Sequence, residues 1–392
     1  MKFAHLSDCH IGGWREDSLR DINLKSFEWA VDICIKEHVG FVIIAGDLFD
    51  TALPSIEILK STAKILNKLK DFYIPIYLIP GSHDFSASGK TMLDVLENAG
   101  LVTNVMKFNN NKLDFTIDKT GVKLAGMFGK KGGLEVYDYA TLDKTNLESE
   151  SGFKIFLFHT LLDELKDYNF EKIESESISI LPKGFNYYAG GHPHFVYSKY
   201  HKDYGVMAYP GPLYPNNFQE LEKLKHGGFF IVDVENNNLS SRHIPLKVVD
   251  VISYFFNAEN KSPKDIENDI ISKIVDFDNK IVTIRIEGCL SSGKVSDINF
   301  KYISEYFSKA YFVLKNTSKL VTKDFQEIKA DNRNIDDIES SIVKDHKSQS
   351  IFDESKVLEI MKSLDREKFD GEKNSDFESR IIKEVSSIIE LW

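Results

Sequence analysis

The amino-acid sequence predicts a layered α/β fold over residues 1–240, followed by a small α+β domain at 246–320 and a helical tail at 321–392. Two observations predict this fold class. Short runs of β-branched and aromatic residues alternate with helical patterns over residues 1–240, which is typical of sheets covered by helices. Polar side chains able to bind metal ions also follow several strand-like runs, at the sheet edge where active sites of such folds assemble.

Turn-forming or polar residues bound the strand-like runs of the first domain. The predicted strands are Lys2–Leu6, Phe41–Ala45, Ile76–Ile79, Val122–Met127, Lys154–Phe158, Tyr187–Ala189, Gly205–Tyr209 and Gly228–Val234. Helices are predicted at Ser18–Glu37 and Ser55–Leu69, and the second carries an apolar stripe at helical spacing. These elements predict strands joined by helices, so the turns after the strands share one sheet edge.

The pattern changes after Asp233. Two helical stretches, Ser262–Val275 and Asp297–Ser308, alternate with strand-like runs at Lys280–Glu287 and Ala310–Asn316. This pattern predicts the small α+β domain at 246–320.

The tail is polar, acidic and poor in strand formers. A helical pattern covers Asp353–Leu364, and a capping box at Ser375–Glu378 begins a second, amphipathic helix that ends in Trp392. Its apolar face must be buried, either on its own domain or, as we expect, on a partner protein.

The net charge of −11 argues against a protein that coats nucleic acid by bulk charge. It does not exclude nucleic acid, because −6 of that charge lies in the last 72 residues and metal-binding carboxylates are counted as free charge. The apolar runs are shorter than the roughly 20 residues that cross a bilayer, and no secretory signal is recognised, so we expect a cytoplasmic protein. The three cysteines are scattered, which disfavours a disulfide framework or a Cys-x-x-Cys zinc site.

Five short motifs between residues 8 and 194 carry the chemistry, and each follows a predicted strand. They are Asp8-Cys9-His10, Gly46-Asp47, Gly81-Ser82-His83-Asp84, His159 and Gly191-His192-Pro193-His194. Aspartate oxygens and histidine nitrogens suit manganese, iron(II) or zinc. Two such ions bridged by one carboxylate can clamp a phosphodiester and activate a water.

Each motif alone has an ordinary structural explanation. An Asp-x-His can be a capping aspartate beside a surface histidine, Gly46-Asp47 a turn, and Gly191–His194 a loop with two solvated imidazoles. All five together, in this order, favour a dinuclear metal site. Strand alternation points Cys9 away from its neighbours, so we expect it to be buried and not a ligand.

The order of these motifs resembles that of the calcineurin-like metallophosphoesterases. Gly46-Asp47-Leu48-Phe49-Asp50 and the opening segment Phe3–Gly12 narrow the resemblance to the double-strand-break repair nucleases called SbcD in bacteria and meiotic recombination eleven in eukaryotes. Residues 246–320, including Gly288–Phe300, are similar to their DNA-capping domain. The resemblance implies a four-layer β-sandwich flanked by helices.

The resemblance also implies site roles. The first metal would take Asp8, His10, Asp47 and His194, with Asp47 bridging to a second metal. The second metal would take its other ligands from three residues. They are Ser82, His159 and His192.

The same resemblance makes His83 the catalytic histidine, with Asp84 holding its imidazole in one tautomer. Two departures from the family pattern bear on activity. Ser82 stands where the family usually has asparagine, which implies a weakly held second metal. Asp50 stands where some relatives carry a histidine linked to exonuclease action.

Basic pairs near the motifs are candidate DNA contacts, although a solvated turn is the simpler explanation of each pair alone. They are Lys130 with Lys131, and Lys199 with Lys202.

The resemblance implies a manganese-dependent DNA nuclease, exonuclease or endonuclease, that binds two divalent ions and works in the nucleoid with an SMC-like ABC ATPase gripped by the tail. A homodimer is expected through the apolar faces of Ser55–Leu69 and Gly89–Asn98, with the region of Met92 and Leu96 as the preferred contact. Two alternatives stay open. One is a phosphodiesterase acting on a small nucleotide or phosphoprotein, and the other is a scaffold weakened in catalysis through Ser82.

Overall fold

The fold was analysed in a computed structural model. It describes residues 1–86, 91–109, 112–130, 133–166, 175–236, 238–322, 353–366 and 374–389. Lys131 and Trp392 lie outside the described residues, as do the first two residues of the segment Gly89–Asn98.

The described residues form four sheets with helices between and after their strands. The strands are β1 Lys2–Leu6, β2 Phe41–Ala45, β3 Ile76–Ile79, β4 Thr103–Asn104, β5 Lys107–Asn109, β6 Lys112–Asp114, β7 Thr116–Ile117, β8 Lys123–Gly126, β9 Lys154–His159, β10 Tyr187–Gly191, β11 Val196–His201, β12 Gly205–Pro210, β13 Gly227–Glu235, β14 Asn238–Leu246, β15 Val251–Asn257, β16 Ile281–Leu290 and β17 Phe312–Thr322. The helices are α1 Asp17–Lys36, α2 Ile56–Asp71, α3 Met92–Asn98, α4 Glu135–Thr141, α5 Thr145–Ser149, α6 Phe218–Leu224, α7 Pro263–Lys273, α8 Phe300–Tyr306, α9 Glu354–Leu364 and α10 Asn374–Ile388.

Two six-stranded sheets form the centre of the first domain. The first has the order β14-β13-β1-β2-β3-β4, and the second has the order β11-β12-β10-β9-β8-β7. Parallel pairs β1–β2, β2–β3, β9–β10 and β10–β12 lie in their middles, while antiparallel pairs such as β13–β14 and β11–β12 lie towards one edge. Parallel strands end on the same side of a sheet, so the turns after β1, β2 and β3 are neighbours, as are those after β9 and β10.

Side-chain alternation builds three apolar cores from these strands. Phe3 and Ile43 lie in the core between the two sheets, whereas Ala4 and Ile44 lie in the core shared with α1, α2 and α3. A third core packs the second sheet against α4 and α5, through residues such as Tyr139. Strands buried on both faces give layers of helices, sheet, sheet and helices, which confirms the predicted four-layer fold.

Element positions follow the predictions closely where the apolar pattern is strong. β1, β2 and β3 have the predicted bounds, and α1 and α2 differ from prediction by one or two residues at each end. The short strands β4 to β7 and the exposed strand β11 were not predicted, because their burial patterns carry no regular apolar alternation.

The chain consists of two compact units. The first comprises residues 1–255, 271–285 and 301–316, and the second comprises 256–270, 286–300 and 317–392. The strands β15, β16 and β17 form a three-stranded sheet in that order. The boundaries predicted at 240, 246 and 320 stay a prediction. Among the described helices, none has the length and apolar character needed to span a bilayer.

Candidate metal centre

The predicted ligands lie at or just after the carboxyl ends of five strands. Asp8 follows β1, Asp47 follows β2, Ser82 follows β3, His159 ends β9 and His192 follows β10. Several of these loop residues hold left-handed backbone conformations. They are Asp8 (φ 49°), His10 (φ 42°), Asp47 (φ 52°) and His192 (φ 94°). Such conformations cost about 1–3 kcal/mol each and persist where the surrounding structure holds them, which occurs mainly at functional sites.

The Asp47 carboxylate is the centre of the cluster. Its Oδ2 lies 3.2 Å from His159 Nε2, 3.8 Å from His10 Nε2 and 3.3 Å from Ser82 Oγ. Its Oδ1 accepts a hydrogen bond of 2.7 Å from the backbone N–H of His83. One oxygen therefore faces the ring nitrogens of two histidines, one in the loop after β1 and one at the end of β9.

The geometry of the histidine nitrogens fits divalent metal ions. His10 Nε2 and His194 Nε2 lie 3.2 Å apart, and Asp8 Oδ1 is 3.7 Å from the latter. Two ligands at about 2.1 Å from one ion lie about 3.0–3.4 Å apart. The buried Nε2 of His159 has no hydrogen-bond partner among the described residues. Such a buried nitrogen needs a partner, and a metal ion supplies one.

The ligand atoms converge in three groups, each with its ligand atoms within 4.8 Å of one another. The groups are Asp8, His10 and His194; Asp8, Asp47 and His159; and His10, Asp50 and His83. Of the candidates for the second metal, His192 stands farther out. Its ring centroid is 5.2 Å from that of His159, and its backbone N–H donates to the Asp8 carboxylate at 3.0 Å.

Charges in the cluster raise the pKa values of two of its histidines, His159 and His194, whereas burial lowers the pKa of His192 to about 4. Burial lowers the pKa of His159, but the negative charge of Asp47, whose Oδ2 lies 3.2 Å from Nε2, outweighs burial and raises this pKa to about 9. For His194 burial again acts downwards, and Asp8 and Glu220 raise the pKa to about 10. Burial opposes ionisation of Asp47, yet the neighbouring histidines hold its pKa well below the usual range. The negative charge of the carboxylates therefore favours protonated His159 and His194 when no metal ion is bound.

Carbonyl and carboxylate oxygens hold the other nitrogen of three imidazoles. His159 Nδ1 lies 2.8 Å from the Ala45 carbonyl, and His83 Nδ1 lies 2.7 Å from the Asp50 carbonyl. His194 Nδ1 lies 2.9 Å from Glu220 Oε1. Each acceptor places the proton on Nδ1 and leaves Nε2 free for a metal or a phosphate oxygen.

The predicted role of Asp84 is wrong. Its buried Oδ2 accepts from the backbone N–H groups of Leu48 and Gly81, both at 3.1 Å, and its Oδ1 accepts from that of Phe49 at 3.0 Å. The imidazole of His83 is instead oriented by the Asp50 carbonyl. Asp84 therefore fastens the loop after β2 to the loop after β3. The three amides supply the hydrogen bonds that its buried carboxylate needs.

A cavity of about 790 Å³ opens over the cluster. Its polar floor contains predicted ligands and His83, and one wall is apolar. The floor residues are His10, Asp47, Ser82, His83, His192 and His194, and the apolar wall is Leu161, Pro193, Phe195, Val196 and Leu224. Lys223 is the one cation among the described lining residues. This volume is suited to a phosphodiester with part of an attached nucleoside.

Of the lysines proposed from sequence, the described ones, Lys130, Lys199 and Lys202, do not line this cavity. Lys130 is paired with Asp138 at 2.6 Å and lies 4.8 Å from the ring centre of Phe128. Lys199 and Lys202 are on the exposed hairpin of β11 and β12. Their role in DNA binding stays a prediction.

Helix α6 supplies site residues that the motif search missed, since it follows the last motif by more than 20 residues. Asn217 caps α6 and Glu220 is its third residue, a spacing recognisable as a capping signature. Glu220 also reaches His194, while Asn216 Nδ2 donates to Asp50 Oδ1 at 3.0 Å. A Cβ at Gly13 would lie 2.2 Å from Asn216 Oδ1, so this contact requires glycine there.

The fold and this cluster define a calcineurin-like phosphoesterase, and the model of that family matches residues 1–195. The chain is therefore a metal-dependent hydrolase of phosphate esters. Several curated relatives, each described as DNA double-strand break repair protein Mre11, are similar to this chain. The relative from Saccharolobus solfataricus is 30% identical over 309 residues, covering 74% of this chain and 75% of the relative. The relative from Archaeoglobus fulgidus is 25% identical over 358 residues, with 79% of each chain covered, and that from Methanocaldococcus jannaschii is 26% identical over 379 residues, with 93% of this chain and 94% of the relative covered. The chain belongs to the Mre11 family, which confirms the resemblance inferred from its motifs.

Proposed function

We propose that this protein is a metal-dependent DNA nuclease that processes DNA ends in double-strand break repair. The observation that carries the proposal is the convergence of Asp8, His10, His159 and His194 around the Asp47 carboxylate, beside His83, in a chain of this family. DNA as the substrate would make the nucleoid its place of action.

We propose that these residues hold two divalent ions and that both ions are Mn²⁺. Asp8, His10, Asp47 and His194 would hold the first ion. The second ion would take its ligands from four residues. They are Asp47, Ser82, His159 and His192. Such ions polarise the phosphodiester and lower the pKa of water when bound.

His83 is the proposed proton donor to the leaving oxygen. Its Nδ1 is held by the Asp50 carbonyl at 2.7 Å and its backbone N–H by Asp47, so the ring is fixed at the cavity while Nε2 stays available. General acid catalysis of this kind contributes typically 10²–10⁴-fold.

Cleavage of end-labelled duplex and single-stranded oligonucleotides in Mn²⁺ tests the proposal, with hydrolysis of a p-nitrophenyl phosphodiester measured in parallel. We expect cleavage of DNA by the wild-type protein and a 10²–10⁴-fold loss in His83→Ala at equal Mn²⁺ content. Hydrolysis of small diesters without DNA cleavage would support the alternative of a small-nucleotide phosphodiesterase. Metal binding without any hydrolysis would support the scaffold alternative.

We further propose that the tail docks on an SMC-like ABC ATPase. Helices α9 and α10 are amphipathic and are linked by Arg366 and Glu384 at 3.4 Å. Leu364 and Ile382 stay exposed, at 60% and 65% of their surface. Exposed apolar side chains on paired helices suit a helical partner. Co-purification with the ATPase, lost in Ile382→Asp, is the expected result.

We also propose a homodimer, through the predicted segments around α2 and α3 but not through Leu96. Leu96 is only 2% exposed because it packs in the core beneath α2 and α3, so the predicted contact there is wrong. Leu53, Ile56 and Val95 are exposed. The segments are neighbours, since the backbone N–H of Met92 donates to the Ala52 carbonyl at 3.3 Å. An isologous contact on this surface would bring two metal sites to one duplex.

A further inference from the structure

A second cavity adjoins the metal cleft at the carboxyl end of α6. The metal cleft is lined by Lys223 and Leu224, and the second cavity, of about 410 Å³, is lined by the next two residues, Lys225 and His226. Four consecutive residues therefore connect the two cavities within the first compact unit.

The second cavity is basic in an acidic protein. Its charged lining consists of Lys225, Lys247, Lys280 and Asp250, with His226 beside them. Lys280 is paired with Asp276 at 2.6 Å. In the described part of the chain no acidic side chain lies within ion-pairing distance of Lys225 or Lys247, so their charge is available to a ligand.

The backbone at Lys225 is unusual for a lysine. It ends α6 with φ 66° and ψ −41°, a combination with positive φ that residues with a Cβ seldom adopt. Holding a residue in such a sparsely populated region costs about 1–3 kcal/mol. The Lys225 ammonium donates to the neutral Ser253 hydroxyl. This places the cation on the cavity wall without neutralising it.

We infer that Lys223, Lys225 and Lys247 form a phosphate track that carries a DNA strand from the metal centre across the end of α6 into the second cavity. The inference rests on the proposed nuclease function and names the path of its substrate. Cations spaced over two adjoining cavities match the repeated phosphates of a DNA strand better than one small anion. Each lysine–phosphate contact adds to the affinity for DNA, and this contribution weakens as the salt concentration rises. The track differs from the lysines proposed from sequence, which lie outside both cavities.

The double variant Lys225→Ala/Lys247→Ala tests the track in the full chain with Mn²⁺. Lys25→Ala/Lys36→Ala is the matched control, since it removes the same charge from exposed positions of α1 that line neither cavity. For each protein the ratio of kcat/KM for a single-stranded oligonucleotide to that for a p-nitrophenyl phosphodiester is measured over a salt series. The diester reports on the metal centre alone.

For the track variant we expect this ratio to fall about tenfold, and the slope of log(kcat/KM) for DNA against log[salt] to become shallower by about 1.4, at about 0.7 per lost contact on a single strand. A ratio and slope equal to those of the control variant would overturn the inference.

Fluorescence anisotropy of the labelled oligonucleotide gives a measurement that does not depend on cleavage. Equal affinity of the wild-type protein and the track variant for the oligonucleotide would overturn the inference. Failure of the wild-type protein to cut DNA would by itself contradict only the proposed function, and the affinity comparison would still test the track. Micromolar binding of inorganic phosphate, lost in the track variant, would also overturn it, because the cavity would then be a site for a free anion.

Discussion

Replacing Asp84 by asparagine distinguishes the role seen in the structure from the role predicted from sequence. The carboxylate accepts three backbone N–H groups, two at Oδ2 and one at Oδ1. An asparagine has one acceptor oxygen and one NH₂ group. In the better of its two orientations, the asparagine oxygen accepts from the backbone N–H groups of Leu48 and Gly81. The NH₂ group then faces the N–H of Phe49, which it cannot accept from.

One buried amide then loses its partner, which costs about 1–3 kcal/mol. Burial, followed by the charge of Asp47, raises the pKa of Asp84 to about 7, against the opposing effect of its backbone hydrogen bonds. The comparison is therefore made at pH 8, where the wild-type carboxylate is mostly ionised. Asparagine also removes a charge whose ionisation burial opposes, which offsets part of this cost, so the free energy of unfolding should fall by no more than about 1–3 kcal/mol in urea titrations. Mn²⁺ affinity should fall too, because the two loops fastened by Asp84 carry Asp47 and Ser82.

Asp71→Asn is the control, since Asp71 is exposed at the end of α2 and its replacement should change stability by less than about 0.5 kcal/mol. The reasoning fails if Asp84→Asn keeps wild-type stability and Mn²⁺ affinity while kcat alone drops. That pattern is what an aspartate orienting His83 would produce.

Five further outcomes are expected. In the metal-free protein His159 and His194 hold protons at neutral pH, with pKa values raised to about 9 and about 10, and metal binding must expel these protons. Mn²⁺ affinity should therefore rise by up to tenfold per proton and pH unit from pH 6.5 to 9 in calorimetric titrations, and a flat profile would contradict this. The same raised pKa values stabilise the metal-free fold fully below pH 6.5, and this contribution should be lost as the pH rises through 9 to 10 in thermal unfolding. Ser82→Asn should tighten the weaker metal site by about tenfold by supplying an amide oxygen that reaches farther, and two equal sites in the wild-type protein would argue against a weak serine ligand. Glu220→Gln should weaken metal binding by about 10–100-fold, since it removes the charge 2.9 Å from His194 Nδ1, whereas unchanged affinity would show that hydrogen bonding alone suffices. Val95→Asp should convert a dimer to folded monomers in light scattering, and a wild-type protein already monomeric at tens of micromolar would remove the dimer proposal.

The ligand set could be predicted from sequence because each candidate follows a strand whose apolar pattern is continuous. Buried parallel strands such as β2 show as uninterrupted runs, and the residue after the run must lie at the sheet edge. The family resemblance supplied the roles of Asp47 and His83, and the structure brings Asp8, His10, His159 and His194 close to Asp47. Local spacing thus determined the membership of the site.

The partners of these residues depend on packing between segments far apart in the chain. Asp84 follows His83 in sequence, yet its carboxylate turns into the core and binds amides more than 30 residues away. Glu220 reaches His194 across 26 positions.

By itself the sequence determined the layers, the strands that carry the site and the residues able to bind metal, because these depend on short-range patterns of burial and chemistry. The tertiary structure decided which oxygen holds each imidazole, which apolar side chains of α2 and α3 stay exposed, and that the lysines of α6 adjoin the metal cleft. Those outcomes depend on how elements distant in sequence pack together, and no local pattern records that packing.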